Sequence, residues 1–394
     1  MILSIKSKTI SPSPTLAIDA KYKEMLSNGI DVVGFGAGEP DCDTPDHIKN
    51  AAIEAIKSGF TKYTPAVGTL DLRKAVCKKF FEDNGLTYGI ADIVISNGAK
   101  HSLINVFSAI LNPGDEVIIP APFWVSYPEM VKIADGVPAI LNTTEKNGFK
   151  FTAEQFAKAI TPKTKAIVMN SPSNPTGMIY TREELMAIAD VAVKNNIFVV
   201  SDEIYEKLVY DGNEHISIAT LGDEIKKLTI IVNGVSKSHA MTGWRIGYTA
   251  STTEIAKIMG NVQSHAASNP CSISQVAATA ALNGPQDSIE EMKNNFVARR
   301  NYMVDRINSI EGVSCLKPQG AFYVMMNITK LFGKEIKGKV INTSDDFCDA
   351  LLENSKVALV PGSGFGADGY VRWSYATSMK NIENGLDRLE EFLK

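Results

Sequence analysis

Residues 166–201 read AIVMNSPSNPTGMIYTREELMAIADVAVKNNIFVVS, and this stretch decides the fold. The apolar runs at its two ends, 166–170 and 198–201, are rich in Val and Ile and predict short strands buried on both faces. Between them, Thr181 and Glu184 match a capping box that opens a predicted helix over 185–194. A helix in this position provides the crossover that a pair of parallel strands requires. The stretch therefore predicts a β-α-β unit of a parallel sheet.

The same alternation extends along most of the chain, from about residue 45 to 285. Further strands are predicted at 93–96, 116–119 and 229–233, and helices at 47–57 and 103–111. After about residue 290 the pattern changes to a long helix, 289–310, followed by strand-prone segments at 321–326, 357–360 and 370–374. We predict an α/β fold with a mostly parallel, doubly wound sheet in a large domain and a smaller α+β domain. The large domain is assigned to 45–288, and the small domain to 1–44 and 289–394.

The composition is that of an ordinary globular enzyme, with 394 residues of which 44% are hydrophobic and 21% charged. A net charge of −4, with both signs mixed along the chain, makes nucleic acid an unexpected partner. Apolar runs are far shorter than the roughly 20 residues that span a bilayer, and residues 1–8 have no signal-peptide core. We expect a cytoplasmic protein without a membrane partner.

The five cysteines and five histidines indicate neither disulfides nor a metal centre. The cysteines are odd in number and form no C-x-x-C pair, which suits structural thiols in a reducing compartment. The histidines have no metal-ligand spacing among themselves or with the cysteines, so no protein-bound metal is expected. The glycine-rich stretch at 34–38 lacks the third glycine of a dinucleotide fingerprint, which disfavours a nicotinamide dehydrogenase.

Four motifs follow one another along the chain: NSPSNPTG at 170–177, SDEIY at 201–205, SK at 236–237 and GWRIG at 243–247. Together with Gly38 and Arg372, they resemble the signature of the fold-type I pyridoxal-phosphate enzymes. The chain closely resembles the class I aminotransferases, and within them the bacterial aspartate aminotransferases, from about Pro14 to the C-terminus. The resemblance implies the fold-type I architecture and pyridoxal 5'-phosphate as the cofactor.

Lys237 is the first catalytic residue that the resemblance implies. The family's lysine at this place forms the Schiff base with the cofactor and then transfers the proton. An amine buried beside cationic groups has a lowered pKa, so it can be nucleophilic and later basic near neutral pH. Outside these motifs, a solvated surface lysine would be the better interpretation.

Asp202 ends a predicted strand, at the edge where open α/β sheets bind their ligands. The resemblance implies that its carboxylate keeps the cofactor's pyridine nitrogen protonated; a helix cap is the alternative. Tyr205 and Asn174 are implied to donate hydrogen bonds to the phenolic oxygen of the cofactor. A buried core tyrosine and an Asn-Pro turn are the alternatives for these two residues.

A phosphate site is indicated near residues 98–101. Gly98, Ala99 and Lys100 lie between a predicted strand and a predicted helix, and the N-terminus of a helix attracts anions. Lys100 and His101 have an unfavourable sign for the first turn of a helix unless an anion is near. Arg245 adds a fork that can bind phosphate through two hydrogen bonds.

The resemblance adds three further expectations about the phosphate site. Ser236 and Gly234 are implied to line it, although the family commonly has a hydroxyl residue where Gly234 stands. Tyr63 is implied to reach the phosphate of the neighbouring subunit. We therefore expect a homodimer with sites at the interface.

Trp124 and Arg372 are implied to contact the cofactor ring and the substrate. Trp124 matches the aromatic residue that stacks on the pyridine ring, with a core tryptophan as the alternative. Arg372 stands inside an apolar run, where an unpaired charge is costly, so it requires an anionic partner. In the family this arginine binds the substrate α-carboxylate, with Gly38 and Asn174 alongside.

The amino-acid preference rests on Lys100. One subgroup of the family reads the distal carboxylate with an arginine, but no arginine lies between Arg245 and Arg299. In the bacterial subgroup, a lysine at the position of Lys100 has this function. We therefore expect L-aspartate + 2-oxoglutarate = oxaloacetate + L-glutamate, by a ping-pong reaction through Lys237. The alternatives are aromatic or neutral amino acids, prephenate, or a lyase of the same fold.

Overall fold

The computed structural model describes residues 4–394, which form helices and strands in alternation. The helices are α1 Pro14–Ser27, α2 Asp46–Lys57, α3 Leu70–Asn84, α4 Ala99–Ile110, α5 Ser126–Ile133, α6 Ala153–Ala159, α7 Arg182–Asn195, α8 Asp223–Leu228, α9 Thr253–Ala266, α10 Ser272–Asn283, α11 Asp287–Ser309, α12 Ser344–Ser355 and α13 Met379–Leu393. The strands are β1 Val33–Gly34, β2 Ile93–Ser96, β3 Glu116–Ala121, β4 Val137–Asn142, β5 Thr164–Asn170, β6 Phe198–Asp202, β7 Thr229–Gly234, β8 Gly247–Ala250, β9 Ser314–Cys315, β10 Tyr323–Asn327, β11 Glu335–Ile336, β12 Lys339–Val340, β13 Val357–Ala358, β14 Val360–Pro361 and β15 Tyr370–Ser374.

Seven strands form a large sheet in the order β2-β8-β7-β6-β5-β3-β4. The neighbouring pairs among β3 to β7 are parallel, and β8 runs antiparallel to both β2 and β7. Side chains of the sheet pack against α2, α3 and α10 in one cluster and against α4, α5 and α9 in another. This arrangement confirms the predicted α/β fold with a mostly parallel sheet.

The central strands occur where the sequence predicts them, because continuous Val and Ile runs are buried on both faces. The capping box at the start of α7 is also present, since Thr181 accepts from the N–H of Glu184. Two strands of the large sheet, β4 and β8, escaped sequence analysis. β4 is an edge strand that contains Pro138 and exposes Val137 and Ile140, so it lacks the apolar signature of a buried strand. β8 has only four residues, of which Gly247 and Ala250 are small.

A second, antiparallel sheet has the order β14-β15-β10-β9. Its side chains form a core with α11, α12 and α13. β1 pairs in parallel with β13 through Val33 and Val357, which joins the N-terminal segment to the C-terminal part of the chain. Residues 1–3 of the N-terminal segment lie outside the described part. Across residues 4–394, no helix combines the length and the apolar character needed to cross a membrane.

Candidate active site

The carboxyl ends of parallel strands in the large sheet open into a cavity of about 320 Å³. Asp202 ends β6, and Lys237 follows the end of β7. The second sheet contributes Tyr323 from β10 and Arg372 from β15 to the same cavity. Most residues predicted for the site line this cavity. These are Gly38, Ala99, Lys100, Trp124, Asn174, Asp202, Tyr205, Ser236, Lys237, Arg245 and Arg372.

Lys237 Nζ donates a hydrogen bond of 2.5 Å to the carbonyl oxygen of Gly38. Burial lowers the pKa of this amine to about 8, and the positive charges of Arg245 and Arg372 act in the same direction. Glu39 and Asp202 oppose the shift. The amine is therefore easier to deprotonate near neutral pH than an ordinary lysine, as nucleophilic and proton-transfer chemistry requires.

Asp202 is buried at the end of β6, with both carboxylate oxygens hydrogen bonded. Oδ2 accepts from the hydroxyl of Tyr127 at 2.7 Å, and Oδ1 accepts from the backbone N–H of Ile204 at 3.2 Å. Burial raises the pKa of Asp202 to about 6, while these two hydrogen bonds limit the rise. The carboxylate thus stays mostly ionised at neutral pH in a buried place.

Arg372 is buried in β15 and has neutral partners in the described chain. One terminal nitrogen donates to Asn174 Oδ1 and the other to the Gly36 carbonyl oxygen, both at 2.9 Å. The guanidinium lies 4.4 Å from the ring centre of Tyr323, and its Nε is buried without a hydrogen-bond partner. A buried guanidinium with an orphaned N–H and no carboxylate beside it is suited to bind an anionic ligand.

Tyr205 contacts the second sheet through its hydroxyl, which lies 3.1 Å from the hydroxyl of Tyr323. Tyr323 in turn packs its ring against the Arg372 guanidinium. Burial raises the pKa of both phenols, so both remain protonated and able to donate at neutral pH. The two sheets therefore meet at the cavity through polar groups.

The phosphate site predicted at residues 98–100 has a defined cradle. α4 begins at Ala99, and Gly98 precedes it with a φ of 82°, a left-handed conformation that favours glycine. A Cβ at Gly98 would collide with the guanidinium of Arg245. Arg245 thus packs directly against the N-terminus of a twelve-residue helix, where backbone N–H groups and a cation point at one place.

Lys100 lies in the first turn of α4, with its ammonium 4.9 Å from the ring centre of Trp124. Burial, together with the positive charge of Arg245, lowers the pKa of Lys100. Both effects disfavour a cation at this position, as the helix dipole also does. An anion bound here would relieve them.

Three residues that the resemblance implies for the site, Gly98, Tyr63 and Gly234, do not line the cavity of this chain. Gly98 packs against the Arg245 guanidinium at the start of α4. Tyr63 is 90% exposed and lies away from the cavity of its own chain. At Gly234 a Cβ would stand 2.8 Å from the carbonyl oxygen of Ile246, so close strand packing leaves no room for a hydroxyl residue.

Sequence reasoning missed Tyr127, Tyr323, Glu39 and Thr242, all of which line the cavity. Thr242 donates to Glu39 at 2.7 Å at the mouth of the site. The sequence offers one weak indication for Tyr127, because it follows Trp124 by three residues and lies in the first turn of α5. The other three come from separate segments, and no local pattern connects them.

The chain belongs to the aminotransferase class I and II family, whose model matches residues 30–389. This confirms the resemblance found from the four motifs. A curated relative named aspartate aminotransferase, from Bacillus sp. (strain YM-2), is 52% identical over 100% of this chain and 99% of its own length. A relative from Rickettsia bellii, named probable aspartate/prephenate aminotransferase, is 48% identical over 99% of this chain and 98% of its own.

Solved structures agree with this assignment. The aspartate aminotransferase from Rhizobium meliloti superimposes with a TM-score of 0.96 at 43% identity, covering 100% of this chain and 99% of the other. The aspartate aminotransferase from Thermus thermophilus with maleate gives a TM-score of 0.94 at 41% identity, with complete coverage of both chains. The fold is therefore that of the fold-type I aminotransferases.

Proposed function

We propose that this protein transfers the amino group of L-aspartate to 2-oxoglutarate, giving oxaloacetate and L-glutamate, with pyridoxal 5'-phosphate as cofactor. One observation carries the proposal. A single cavity holds the Lys237 amine with its lowered pKa, the buried Asp202 carboxylate and the buried Arg372 guanidinium that lacks an anionic partner. Relatives named aspartate aminotransferases at about half identity over the full chain support the substrate.

The residues present fit the cofactor. At the cradle a side chain on Gly98 would collide with Arg245, so the guanidinium lies against the N-terminus of α4, and both groups attract a phosphate. Asp202 would face the ring nitrogen, and Trp124 would lie against the ring. Lys237 would hold the cofactor covalently through Nζ. When bound, pyridoxal phosphate supplies an electrophilic carbon for amines and an electron sink for the bond broken at Cα.

Tyr205, Asn174, Ala99 and Ser236 complete the proposed contacts. Tyr205 and Asn174 would donate to the phenolic oxygen of the cofactor, since both line the cavity that Asp202 lines. Ala99 and Ser236 line the same cavity as Arg245 and would contact the phosphate. Tyr63 would do the same in a partner subunit.

Lys237 then has two tasks in the proposed reaction. Its Nζ would hold the cofactor before the substrate binds, and as a free amine it would then move the proton from the substrate Cα. The lowered pKa suits both tasks, because the amine must lose its proton before it can act as a base. The carbonyl oxygen of Gly38 lies 2.5 Å from Nζ and would accept a hydrogen bond from the free amine at the cavity wall.

Arg372 and Lys100 would select the substrate. Arg372 would bind the α-carboxylate through its fork, held in place by Asn174 and beside Gly38. Lys100, on the α4 side of the cavity, would neutralise the distal carboxylate. A Thermus relative solved with maleate, itself a four-carbon dicarboxylate, supports such a pair of carboxylate sites. Prephenate is the second candidate acceptor, because several relatives are named aspartate/prephenate aminotransferases.

We also propose a homodimer and a two-domain chain. Tyr63 is preceded by three further exposed apolar side chains, Ile53, Ile56 and Phe60, and an apolar surface of this kind favours an interface between copies. The boundaries 45–288 for the large domain and 1–44 with 289–394 for the small domain are supported by the two separate sheets. The cytoplasmic location remains a prediction.

An absorption spectrum tests the function directly. Protein reconstituted with pyridoxal phosphate should show a visible band that L-aspartate removes and 2-oxoglutarate restores. K237A should bind the cofactor but lose turnover, and near-normal turnover would refute the role of Lys237. Assay of the products separates the alternatives, because a lyase acting by elimination releases ammonia, whereas a transaminase passes the amino group to the acceptor oxoacid and releases none.

The substrate preference needs a separate test on Lys100. K100M should lower kcat/KM for aspartate by about 10- to 100-fold, the value of a lost charge-assisted hydrogen bond, and spare that for phenylalanine. Equal losses for both substrates would place Lys100 at the phosphate alone.

A further inference from the structure

We propose that Tyr127 is a positioning residue for the reaction, which fixes the Asp202 carboxylate toward the pyridine nitrogen of the cofactor. The inference rests on the proposed function, since it concerns the same cavity. It assigns a task to a residue that lies outside the four motifs.

Tyr127 is buried and contacts Asp202 through its hydroxyl and Trp124 through its ring. Its side chain is 2% exposed in the first turn of α5, and its hydroxyl donates to Asp202 Oδ2 at 2.7 Å. Its ring packs edge-on against Trp124, with ring centres 5.3 Å apart at 86°. Tyr127 therefore bridges the two residues proposed to contact the cofactor ring, one at its face and one at its nitrogen.

The hydrogen-bond capacity of Asp202 leaves a place for the ring nitrogen. An ionised carboxylate has about four acceptor sites on its two oxygens. The Tyr127 hydroxyl occupies one on Oδ2, and the N–H of Ile204 occupies one on Oδ1. Two donors on different oxygens prevent rotation of the carboxylate, so the remaining acceptor sites keep a fixed direction toward the cavity.

Tyr127 also keeps Asp202 charged. The groups that face this carboxylate are Tyr127 from α5, Lys237 after β7, Glu203 beside it in sequence, and Tyr205. Burial raises the pKa of Asp202 to about 6, and the Tyr127 hydrogen bond is the largest of the effects that lower it. The pKa of Tyr127 itself lies well above its ordinary value because of burial, so its hydroxyl remains a donor. Without this donor, Asp202 would take up a proton at higher pH.

The test is cofactor binding by the apoprotein between pH 5 and 8, measured by absorbance titration with pyridoxal phosphate. Y127F should weaken binding about tenfold at pH 7 and move the loss of affinity at low pH upward by about one unit. Y375F is the matched control, because the Tyr375 hydroxyl is equally buried but donates to the Ala321 carbonyl oxygen at 3.2 Å, outside the cavity. The control should bind like the wild type.

A double-mutant cycle separates positioning from packing. If Tyr127 acts through Asp202, Y127F should weaken binding further by less than twofold when added to D202N. If Tyr127 only supports Trp124 sterically, the two losses multiply and the proposal is wrong. Replacing Tyr127 by 3-fluorotyrosine keeps the shape and strengthens the donor, so it should shift the pH midpoint downward even where Y127F folds poorly.

Failure of this inference is distinct from failure of the proposed function. A wild-type protein that does not bind pyridoxal phosphate overturns both. A wild-type protein that binds it normally, alongside Y127F with an unchanged affinity and pH midpoint, overturns the role of Tyr127 alone.

Discussion

Arg300 and Arg372 are two buried arginines with opposite surroundings. Arg300, on α11, is 0% exposed, and Arg372, on β15, is 2% exposed. Arg300 forms an ion pair with Asp211 at 2.8 Å, and its other nitrogens donate to Pro318 and Asn301. Arg372 has an amide oxygen and a carbonyl oxygen as partners, and its Nε has none.

The difference separates a structural charge from a binding charge. A protein that buries a guanidinium for stability surrounds it with acceptors, because an unmet buried donor costs free energy. A protein that buries a guanidinium to bind a ligand leaves some of its N–H donors without an acceptor, and the ligand supplies that acceptor. Each guanidinium also lies over a tyrosine ring, Arg300 over Tyr210 at 5.0 Å and Arg372 over Tyr323 at 4.4 Å. The two arginines therefore differ in their hydrogen-bond acceptors and not in their ring contacts.

The largest effect is expected from R372M. Loss of the α-carboxylate site should lower kcat/KM for aspartate by about 10²- to 10³-fold, since truncating one side of a buried charge pair costs about 2–5 kcal/mol. The melting temperature should stay the same or rise, because an incompletely paired buried charge is removed. Steady-state kinetics measures kcat/KM, and calorimetry measures the melting temperature. A large loss of stability would show that Arg372 has a structural role, as Arg300 does.

R300M should show the reverse pattern. It removes the donors that join α11 to Pro318 and Asp211, so the free energy of unfolding should fall by about 2–3 kcal/mol. The kcat/KM of the folded fraction should match that of the wild type. Urea denaturation measures the first quantity, and an activity change beyond twofold at low temperature would contradict the assignment.

The charge of Arg372 should also be visible in the titration of Lys237. Covalent uptake of pyridoxal phosphate by the apoprotein should increase with pH around a midpoint near 8, where the amine loses its proton. R372M removes a cation that lowers the pKa of Lys237, so its midpoint should move upward by less than one unit. R300M should leave the midpoint in place, which makes it the control.

The smallest effect concerns the Asp211 partner. Arg300 lowers the pKa of Asp211 by a hydrogen bond, so the ionised form stabilises the fold above the ordinary carboxyl pKa and loses that effect as the pH falls. The Asp211 side chain is 41% exposed, which limits the gain to about 0.5–1 kcal/mol. D211N should therefore differ from the wild type at pH 7 and converge with it below about pH 4 in denaturation experiments.

Local sequence patterns indicate the burial of Arg372 but give no sign that Arg300 is buried. Arg372 interrupts the apolar run of a strand, so its burial and its need for an anion were predictable. Arg300 follows Arg299 in a long helix and resembles a solvated charge. Its burial depends on Pro318 and Asp211, which are distant in the chain, and no local pattern contains that contact.

The same limit explains the rest of the comparison between sequence and structure. Lys237 and Asp202 were predictable because they sit at the ends of apolar strands inside recognisable motifs. Tyr127 and Tyr323 were missed because a tyrosine in an apolar segment reads as core, and only the tertiary structure shows where its hydroxyl points. The edge strand β4 was missed because exposure on one face dilutes its apolar pattern.

The pairing of β1 with β13 has a consequence for protein synthesis. Val33 emerges from the ribosome early, yet its partner Val357 is translated almost at the end. Contacts between such distant positions raise the contact order and delay the completion of folding. The strands of the seven-stranded sheet, in contrast, all lie between β2 and β8 and can assemble while translation continues. In a nascent chain β1 would therefore lack its partner strand until β13 has left the ribosome.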